Sequence, residues 1–452
     1  MSPQREPVQL RKVLTLPGLV LFGITFVGPT APFPMFGIVS TVSRGHMALA
    51  YVLAMAAMAL TAISYGRMAS AFPAAGSAYT YVRKTMHPIA GFLVGWTMLL
   101  DYVLMPLMSV IYMSLTAMRF VPEVPYWIWV LFFASAITTV NLFGLKVTNR
   151  ANFAMTAVMA GSVIWFVFAA IRAVRSGVGT GVLLTVKPFY NEPEFSFAAV
   201  MAATSIAAFS YLGFDGISTL AEDACNPRKD IARATVLVCL ISCGLFVLQA
   251  YLGQLVWPDF TTYPSVETAF LDVSRLVGGH ALFVAVSFVL LVAGVASAVT
   301  GQASASRLLF GMGRDRLLPA AIFAYVHPKY STPTYGILTI GVLTLCGGFL
   351  LSFQLAAEAI NFGALLGFMS VNLSVIIHFF LKQSQRRRAA FLWNLVLPAA
   401  GFLACLYVFG HLSNTAKVIG TIWCAAGVIH AVRLTGGFRR KLGAAPEISP
   451  VE

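Results

Sequence analysis

The chain has 452 residues, of which 59% are hydrophobic and only 10% are charged. Charged residues make up about a quarter of an ordinary soluble domain, so this composition excludes a soluble globular protein. The formal net charge of +14 does not indicate a nucleic-acid partner, because the basic residues lie between apolar segments, where they orient membrane proteins.

Apolar runs of about 20 residues recur along nearly the whole chain, and each is long enough to cross a lipid bilayer as a helix. Residues 1–15 are polar and basic, and we expect a cytoplasmic segment here rather than a cleavable signal peptide. Residues 16–434 are predicted to form a single transmembrane domain, followed by a cytoplasmic tail at 435–452. We predict an all-α integral membrane protein with twelve transmembrane helices, near residues 16–39, 47–69, 88–117, 126–141, 149–172, 197–222, 232–256, 280–304, 334–352, 357–381, 391–411 and 415–434.

The distribution of basic residues predicts the orientation of these segments. If the N-terminus is cytoplasmic, most of the 30 lysines and arginines fall in loops and ends on the inner side. That is the usual bias of membrane proteins. Both termini are then cytoplasmic.

Glycine and proline interrupt the first predicted segment at Gly28, Pro29 and Thr30, with two further prolines at 32 and 34. An unpaired backbone group in hydrocarbon costs several kcal/mol, so irregular backbone persists there only where it lines a cavity or is buried in protein. We therefore expect the helix to be unwound at mid-membrane and these three residues to line a substrate site. Pro29 has no N–H, which weakens the capture of a carboxylate at this break.

Two acidic residues lie deep within the predicted spans, Asp101 in the third and Asp215 in the sixth. A carboxylate at membrane depth usually faces a wet cavity and has a partner. Tyr102 follows the first of them. Together the two acids favour a positively charged solute, although Asp101 could instead bracket the broken helix without contacting solute.

The connection 173–196 is long for a membrane loop, and we expect it to hold a short surface helix over the outer vestibule. The sixth segment after it is broken near its middle, like the first. A pair of such breaks in corresponding positions of two halves indicates the substrate site of a transporter. The candidate substrate-binding residues of the second break are Phe209, Ser210, Tyr211, Gly213 and Asp215.

Candidates for coupling or gating are less distinctive. Glu222 closes the sixth segment and is either part of a solvated helix end or an inner gate. Ser297 and Thr300 of the eighth segment could bind sodium, but such hydroxyls more commonly bond their own helix backbone. We expect no metal and no cofactor, because no histidine and cysteine spacing matches a metal site.

The two breaks also predict an internal repeat. Segments 1–5 (16–172) and 6–10 (197–381) each begin with an interrupted helix. Because five is odd, the second set crosses the membrane in the opposite sense, giving two inverted five-helix repeats that can rock about a central site. The last two helices (391–434) lie outside the repeat, as scaffold or oligomer contact, and the sequence leaves the oligomeric state unknown.

Five stretches, in order along the chain, carry a family resemblance: GSAYTYV (76–82), GWTMLLDYVLMP (95–106), YLGFDGISTLAEDACNPRKDI (211–231), SRLLFGMGRDRLLP (306–319) and INFGALLGF (360–368). In these stretches the chain resembles the amino acid–polyamine–organocation permeases, and most closely their bacterial putrescine importer branch. The resemblance covers essentially all twelve segments. It implies the LeuT-like fold of inverted repeats and transport by alternating access.

Individual residues follow from the resemblance. The Gly-Ser-Gly turn of the family falls on residues 28–30 and departs at its second and third positions, which weakens the case for carboxylate binding. Phe209 matches the aromatic gate, Asp215 the polyamine-binding acid of related permeases, and Tyr102 the tyrosine of the importer branch. That branch has an acid where this chain has Pro34, and the lysine with which some relatives replace sodium is absent.

Our hypothesis is a bacterial inner-membrane importer of putrescine or a similar cationic amine, coupled to protons. The alternative within the same fold is a permease for neutral or other amino acids. A hypothesis of another class is a sensor or channel, which would bind ligand without accumulating it. An enzyme is not expected, because no nucleophile and base pair occurs at membrane depth.

Overall fold

The computed structural model describes residues 14–72, 77–144, 149–220, 224–314, 318–383 and 388–435. Within these ranges all regular structure is helical, apart from one isolated β-bridge between Leu14 and Ala224. In chain order the α-helices are α1 (Leu16–Val27), α2 (Pro32–Val42), α3 (Met47–Ala71), α4 (Ser77–Thr85), α5 (Pro88–Met118), α6 (Tyr126–Leu142), α7 (Asn149–Arg175), α8 (Phe197–Ala207), α9 (Pro227–Val256), α10 (Ala269–Arg314), α11 (Ala320–Phe323), α12 (Thr334–Leu350), α13 (Phe353–Val375), α14 (Arg388–Phe391), α15 (Leu397–Gly410) and α16 (Asn414–Thr435).

Several spans contain other helix types or bends. Two 3₁₀ segments, Ala208–Tyr211 and Phe214–Leu220, follow α8, while Ile376–Lys382 and Leu392–Val396 are π-helical. Helix α10 bends at Gly279, where φ is 65°. The predicted eighth span, which starts at residue 280, is therefore the longer arm of a bent helix.

By length and hydropathy, nine helices in the described ranges could cross a membrane, and the bent pair α1 and α2 gives a tenth. Helices α6 and α12 are apolar but shorter, at 17 residues each. The chain is thus an all-helical, multi-pass membrane protein. The count of twelve spans stays a prediction, since it depends on the two shorter helices.

The first predicted segment is broken between α1 and α2, which meet at an angle of 58°. Helix α1 ends because Gly28 takes a positive φ of 84°, and its N–H closes the last turn on the carbonyl of Ile24 at 3.0 Å. Helix α2 begins at Pro32, whose fixed φ suits a first helical position and whose missing N–H is not needed there. Glycine and the prolines thus set both ends of the break.

The sixth predicted segment changes from α8 to 3₁₀ helix and is interrupted at Leu212 and Gly213. Leu212 is extended, and Gly213 has a φ of 114°, which side chains other than hydrogen rarely allow. The ring of Phe26 on α1 packs against this turn, and a Cβ on Gly213 would lie 2.7 Å from the Cδ1 atom of Phe26. The two breaks therefore touch, with Phe26 between them.

Helices α3 and α9 pack closely along their length. A Cβ on Gly66 of α3 would lie 2.7 Å from both the Cα and the Cβ of Ala232 on α9. Helix α3 is rich in alanine, and small residues let helix backbones approach in a membrane, where apolar lipid provides little drive for association.

Replacing Gly66 by valine is expected to destabilise this contact, since overpacking a dense interface costs about 1–3 kcal/mol. The thermal midpoint of the purified protein in detergent should fall. Gly161→Val on the exposed face of α7, where a Cβ meets nothing within 4 Å, is the matched control and should leave the midpoint unchanged. Equal midpoints for the two variants would contradict the close packing of α3 on α9.

Contacts among the first five predicted segments have counterparts among the next five. Helices α3 and α9, α5 and α10, and α6 and α12 pack as pairs across the two sets. The contact of α5 with α13 corresponds to that of α10 with α7, and the contact of α5 with α6 corresponds to that of α10 with α12. Each of these contacts therefore has an equivalent in which every helix is replaced by the corresponding helix of the other set of five.

The C-terminal helices α15 and α16 pack on α3, α5 and α13. Trp96 of α5 and Trp423 of α16 donate their indole N–H groups to each other's backbone carbonyl, at 2.9 and 2.8 Å, and their rings stack at 5.1 Å. Helix α16 is therefore fastened directly to α5.

The expected surface helix in the loop after α7 is wrong, because residues 176–196 form turns and extended backbone only. Gly177, Gly179 and Gly181 all have positive φ values, which ends helical structure. The hydroxyl of Tyr251 on α9 donates to the carbonyl of Leu183 at 2.8 Å. The loop is thus irregular in structure and is hydrogen-bonded to the C-terminal end of α9.

Candidate substrate site

Tyr51 of α3 is hydrogen-bonded to the second break, and Ser210 of that break is hydrogen-bonded to the first. The hydroxyl of Tyr51 lies 2.9 Å from that of Ser210, and the carbonyl of Tyr51 accepts the hydroxyl of Tyr211 at 3.0 Å. Ser210 also donates to the carbonyl of Ala31 in the first break, at 3.5 Å. Ser210 and Tyr211 are each 1% exposed. The side chain of Ser210 thus connects the two breaks, and that of Tyr211 fastens the second break to α3.

Gln249 of α9 satisfies a second carbonyl of the first break. Its Nε2 donates to the carbonyl of Pro29 at 3.0 Å, while its buried Oε1 has no hydrogen-bond partner. Sequence reasoning missed this residue, although a glutamine in an apolar span was a visible signal. The irregular backbone at Pro29 is thus supported from within the protein, as membrane burial requires.

Backbone donors are scarce at the first break. The N–H groups of Gly28, Ala31 and Phe33 are donated to the carbonyls of Ile24, Gly28 and Thr30. The two prolines at 29 and 32 have none. At most one backbone N–H between residues 28 and 33 is therefore free for a ligand, that of Thr30.

Asp101 of α5 and Asp215 of the second break lie within electrostatic range of each other, and Tyr102 lies within range of both. The backbone amides of Gly213 and Gly216 lie close enough to the carboxylate of Asp215 to interact with it electrostatically. The Oδ1 atom of Asp101 is buried without a hydrogen-bond partner. The fold thus brings both predicted acids to one place.

Neither acid is neutralised by a basic side chain in the part of the chain that the structure describes. There the single ion pair within 4.0 Å joins Arg119, the residue directly after α5, to Asp272 of α10. Two half-buried carboxylates within electrostatic range of each other and without a cation repel each other and carry a desolvation cost. This arrangement can bind a cation.

The other candidate residues of the two breaks differ in what surrounds them. A Cβ on Gly28 would meet nothing within 4 Å, and Tyr102 is 41% exposed, so both border open space. Pro29 and Thr30 are buried. Phe209 is half-buried and packs against the hydrophobic core.

Of the three candidates for coupling or gating, Ser297 and Thr300 have no described contact with the two breaks or with the two acids. Glu222 lies outside the described residues. Ser297 and Thr300 are on exposed positions of α10. Across the described ranges, no group of three or more His, Cys, Asp or Glu side chains is placed to hold a metal ion.

Glu358 is a buried acid that sequence reasoning missed, although it lies at the start of the predicted tenth span. It is 3% exposed on α13, and its carboxylate accepts hydrogen bonds from Nε2 of Gln354 at 2.9 Å and from the backbone N–H of Ser413 at 2.8 Å. Gln354 is on α13 itself, and Ser413 lies in the connection between α15 and α16. It fastens that connection to α13.

Comparison with known proteins identifies the family. The sequence model of the amino acid permeases matches residues 25–439 of the chain. The chain belongs to the amino acid permease family. This permease is accordingly a membrane transporter and not an enzyme.

Curated relatives span almost the same length as the permease. It is 35% identical to the low-affinity putrescine importer PlaP of Escherichia coli, over 97% of each chain. It is 26% identical to the branched-chain amino acid permease BcaP of Bacillus subtilis, over 93% of this chain and 92% of the relative. It is 25% identical to the methylthioribose transporter of the same organism, over 95% and 94%. The named solutes of the relatives thus differ.

Proposed function

We propose that this permease imports putrescine or a related cationic amine across the bacterial inner membrane by alternating access, coupled to proton entry. One observation carries the proposal: Asp101 and Asp215 lie together at the breaks, and no basic side chain in the described ranges pairs with them. A cationic solute supplies the missing counter-charge.

An ammonium group matches what these acids lack. It carries three N–H donors and a positive charge, and the unpartnered Oδ1 of Asp101 is an acceptor in need of a donor. Hydrogen bonds to charged groups contribute about 1.5–3 kcal/mol each. A second ammonium group on the same solute would face the second carboxylate.

The first break offers little to an α-carboxylate. A zwitterionic amino acid needs several free backbone donors there, and at most the N–H of Thr30 is free. Its carboxylate would also be repelled by the two aspartates. The scarcity of donors and the excess of acceptors both support a solute that is cationic at each polar end.

Aromatic rings beside the acids suit a diamine. Tyr102 is 41% exposed next to both carboxylates, and Phe26, which is 54% exposed, packs on Gly213 and Gly216. A ring face attracts an ammonium group or packs against the aliphatic linker between two of them. Phe209, in the family's gating position, is the residue we expect to close over the solute.

The equivalent helix contacts in the two sets of five segments support transport by alternating access. The recurrence of contacts between the two sets of five segments is what two inverted repeats at 16–172 and 197–381 would produce within one transmembrane domain. We infer twelve spans with both termini cytoplasmic. Glu222, Ser297 and Thr300 stay candidates for gating or ion coupling.

A relative's name supports the same solute class. The relative with 35% identity is called a putrescine importer, and its length matches this chain throughout. The second candidate is an amino acid permease, favoured by the family's description and by the relative named for branched-chain amino acids.

Competition for uptake tests the proposal. In proteoliposomes with an inward proton gradient, unlabelled putrescine should compete with labelled putrescine, and leucine should not. Butylamine, which has the same carbon chain and one ammonium group fewer, should compete about 10- to 150-fold more weakly, the equivalent of 1.5–3 kcal/mol. Competition by leucine and not by diamines would favour the amino acid permease, and binding without accumulation would favour a sensor or channel.

A further inference from the structure

His46, at the corner between α2 and α3, is completely buried, and both of its ring nitrogens are hydrogen-bonded. Nδ1 lies 2.9 Å from the carbonyl oxygen of Ser43, and Nε2 accepts the backbone N–H of Asn191 at 3.0 Å. A carbonyl oxygen can only accept, so Nδ1 carries a proton. A backbone N–H can only donate, so Nε2 carries none. His46 is therefore neutral and in a single tautomer.

The bond to Asn191 joins the outer halves of the two broken segments. The corner that holds His46 follows the end of α2 at Val42, and Asn191 lies six residues before α8 begins at Phe197. Phe195 packs edge-on against the imidazole at 5.3 Å. Helices α2 and α8 also contact each other.

The loop is anchored independently at its other end. Tyr251 of α9 bonds the carbonyls of Leu183 and Thr185, and the N–H of Thr180 bonds the carbonyl of Leu255. None of these anchors involves a histidine. Beyond these anchors, residues 186–196 contact α9 through the ring of Phe189, which lies 5.7 Å from that of Tyr251, and their hydrogen bond to the corner after α2 is the one between Asn191 and His46.

Protonation would break the bond to Asn191. An imidazolium has donors on both nitrogens, so its Nε2–H would face the N–H of Asn191, two donors with no acceptor between them. Histidine is the side chain whose charge ordinarily changes between about pH 5 and pH 8. Because Asn191 is itself on the loop, protonation of His46 would weaken the attachment of the loop without a rearrangement elsewhere.

No charged side chain in the described ranges forms an ion pair with His46. The titratable groups on the elements packed around it are Arg44 on its own corner, Lys187, Tyr190, Glu192 and Glu194 on the loop, and Asp259, Tyr263 and Glu267 on the connection between α9 and α10. Arg44, Glu192, Glu194 and Asp259 are exposed to solvent, and none of the described acids forms an ion pair with His46.

We propose that His46 is a pH-operated latch: when its ring gains a proton from the outer solution, residues 186–196 detach from the corner after α2, and the outer end of α8 is released. His46 acts as a positioning residue through Asn191 and does not touch solute. The proposal does not depend on which solute the permease carries.

Hydrogen exchange of the purified full-length protein tests the latch without any substrate. Between about pH 7.5 and about pH 5.5, and after correction for the intrinsic exchange rate, protection of the Asn191 amide should fall about 2- to 12-fold, the loss of one hydrogen bond. Peptides covering residues 178–185 should keep their protection, because they are anchored on α9 and not on His46. Equal behaviour of the two stretches in the wild-type protein would overturn the proposal.

Substitutions give a second test. His46→Gln keeps an acceptor for Asn191 and cannot be protonated, so protection of residues 186–196 should stay high at both pH values. His46→Ala should lower it at both. His411→Gln, at a half-buried histidine between α15 and α16, is the control and should behave as the wild type. An acid-induced loss of protection in His46→Gln as large as in the wild type would assign the effect to another group.

Discussion

Asp215→Asn is expected to abolish saturable putrescine uptake while leaving the permease in the membrane at its normal level. Asparagine keeps the size of the side chain and an acceptor oxygen, but it removes the charge that faces the ammonium group in the proposed complex. Truncating one partner of a buried charged pair costs about 2–5 kcal/mol, which weakens binding by about 30-fold to several thousand-fold. Calorimetric binding to purified protein and uptake into proteoliposomes measure the two consequences separately.

The control is the same substitution at an acid outside the site. Asp259 lies in the exposed connection after α9, where its Oδ1 accepts hydrogen bonds from the N–H and hydroxyl of Thr261 at 3.0 and 2.6 Å. Asp259→Asn should transport normally. Unchanged uptake by Asp215→Asn would remove Asp215 from the mechanism.

Asp101→Asn resolves the two roles left open for the second acid. If its unpartnered oxygen contacts solute, the variant should lose binding to a similar extent as Asp215→Asn. If the residue only brackets the broken helix, binding of the folded protein should persist.

Gly213→Ala is expected to reduce uptake strongly, because it disturbs the place where the two breaks meet. The φ of 114° is outside the range that alanine adopts without strain, at a cost on the order of 1–3 kcal/mol. The added methyl would also lie 2.7 Å from the ring of Phe26. The ring of Phe26 would have to move. This ring forms the contact between α1 and the turn that carries Asp215. Initial uptake rates and thermal stability should both fall.

Two further variants separate strain from collision. Gly28 also has a positive φ, of 84°, but a methyl group added there would meet no atom within 4 Å. The thermal midpoint of Gly28→Ala should therefore fall through backbone strain alone, and by less than that of Gly213→Ala. Adding Phe26→Ala to Gly213→Ala removes the collision and should restore part of the stability. Wild-type stability and transport in Gly213→Ala would show that the contact with Phe26 is not needed.

The sequence by itself determined the membrane class, the position of the apolar helices and the location of both breaks. The predicted span 47–69 corresponds to Met47–Ala71, and the span 334–352 to Thr334–Leu350. Such agreement arises because the thickness of the bilayer sets the length of an apolar run. The break at Gly28 was visible because glycine and proline restrict the backbone locally, whatever the rest of the chain does.

The tertiary structure alone decided which groups meet. That Gln249 bonds Pro29, that Tyr51 links Ser210 to Tyr211, and that His46 holds the loop before α8 could not be predicted, because hydropathy gives a helix its length and not its neighbours. The expected surface helix failed for a related reason, since that loop is shaped by its contacts with α9 and the corner at His46. In a membrane every buried polar group needs a partner, and only the packing of distant helices determines which partner that is.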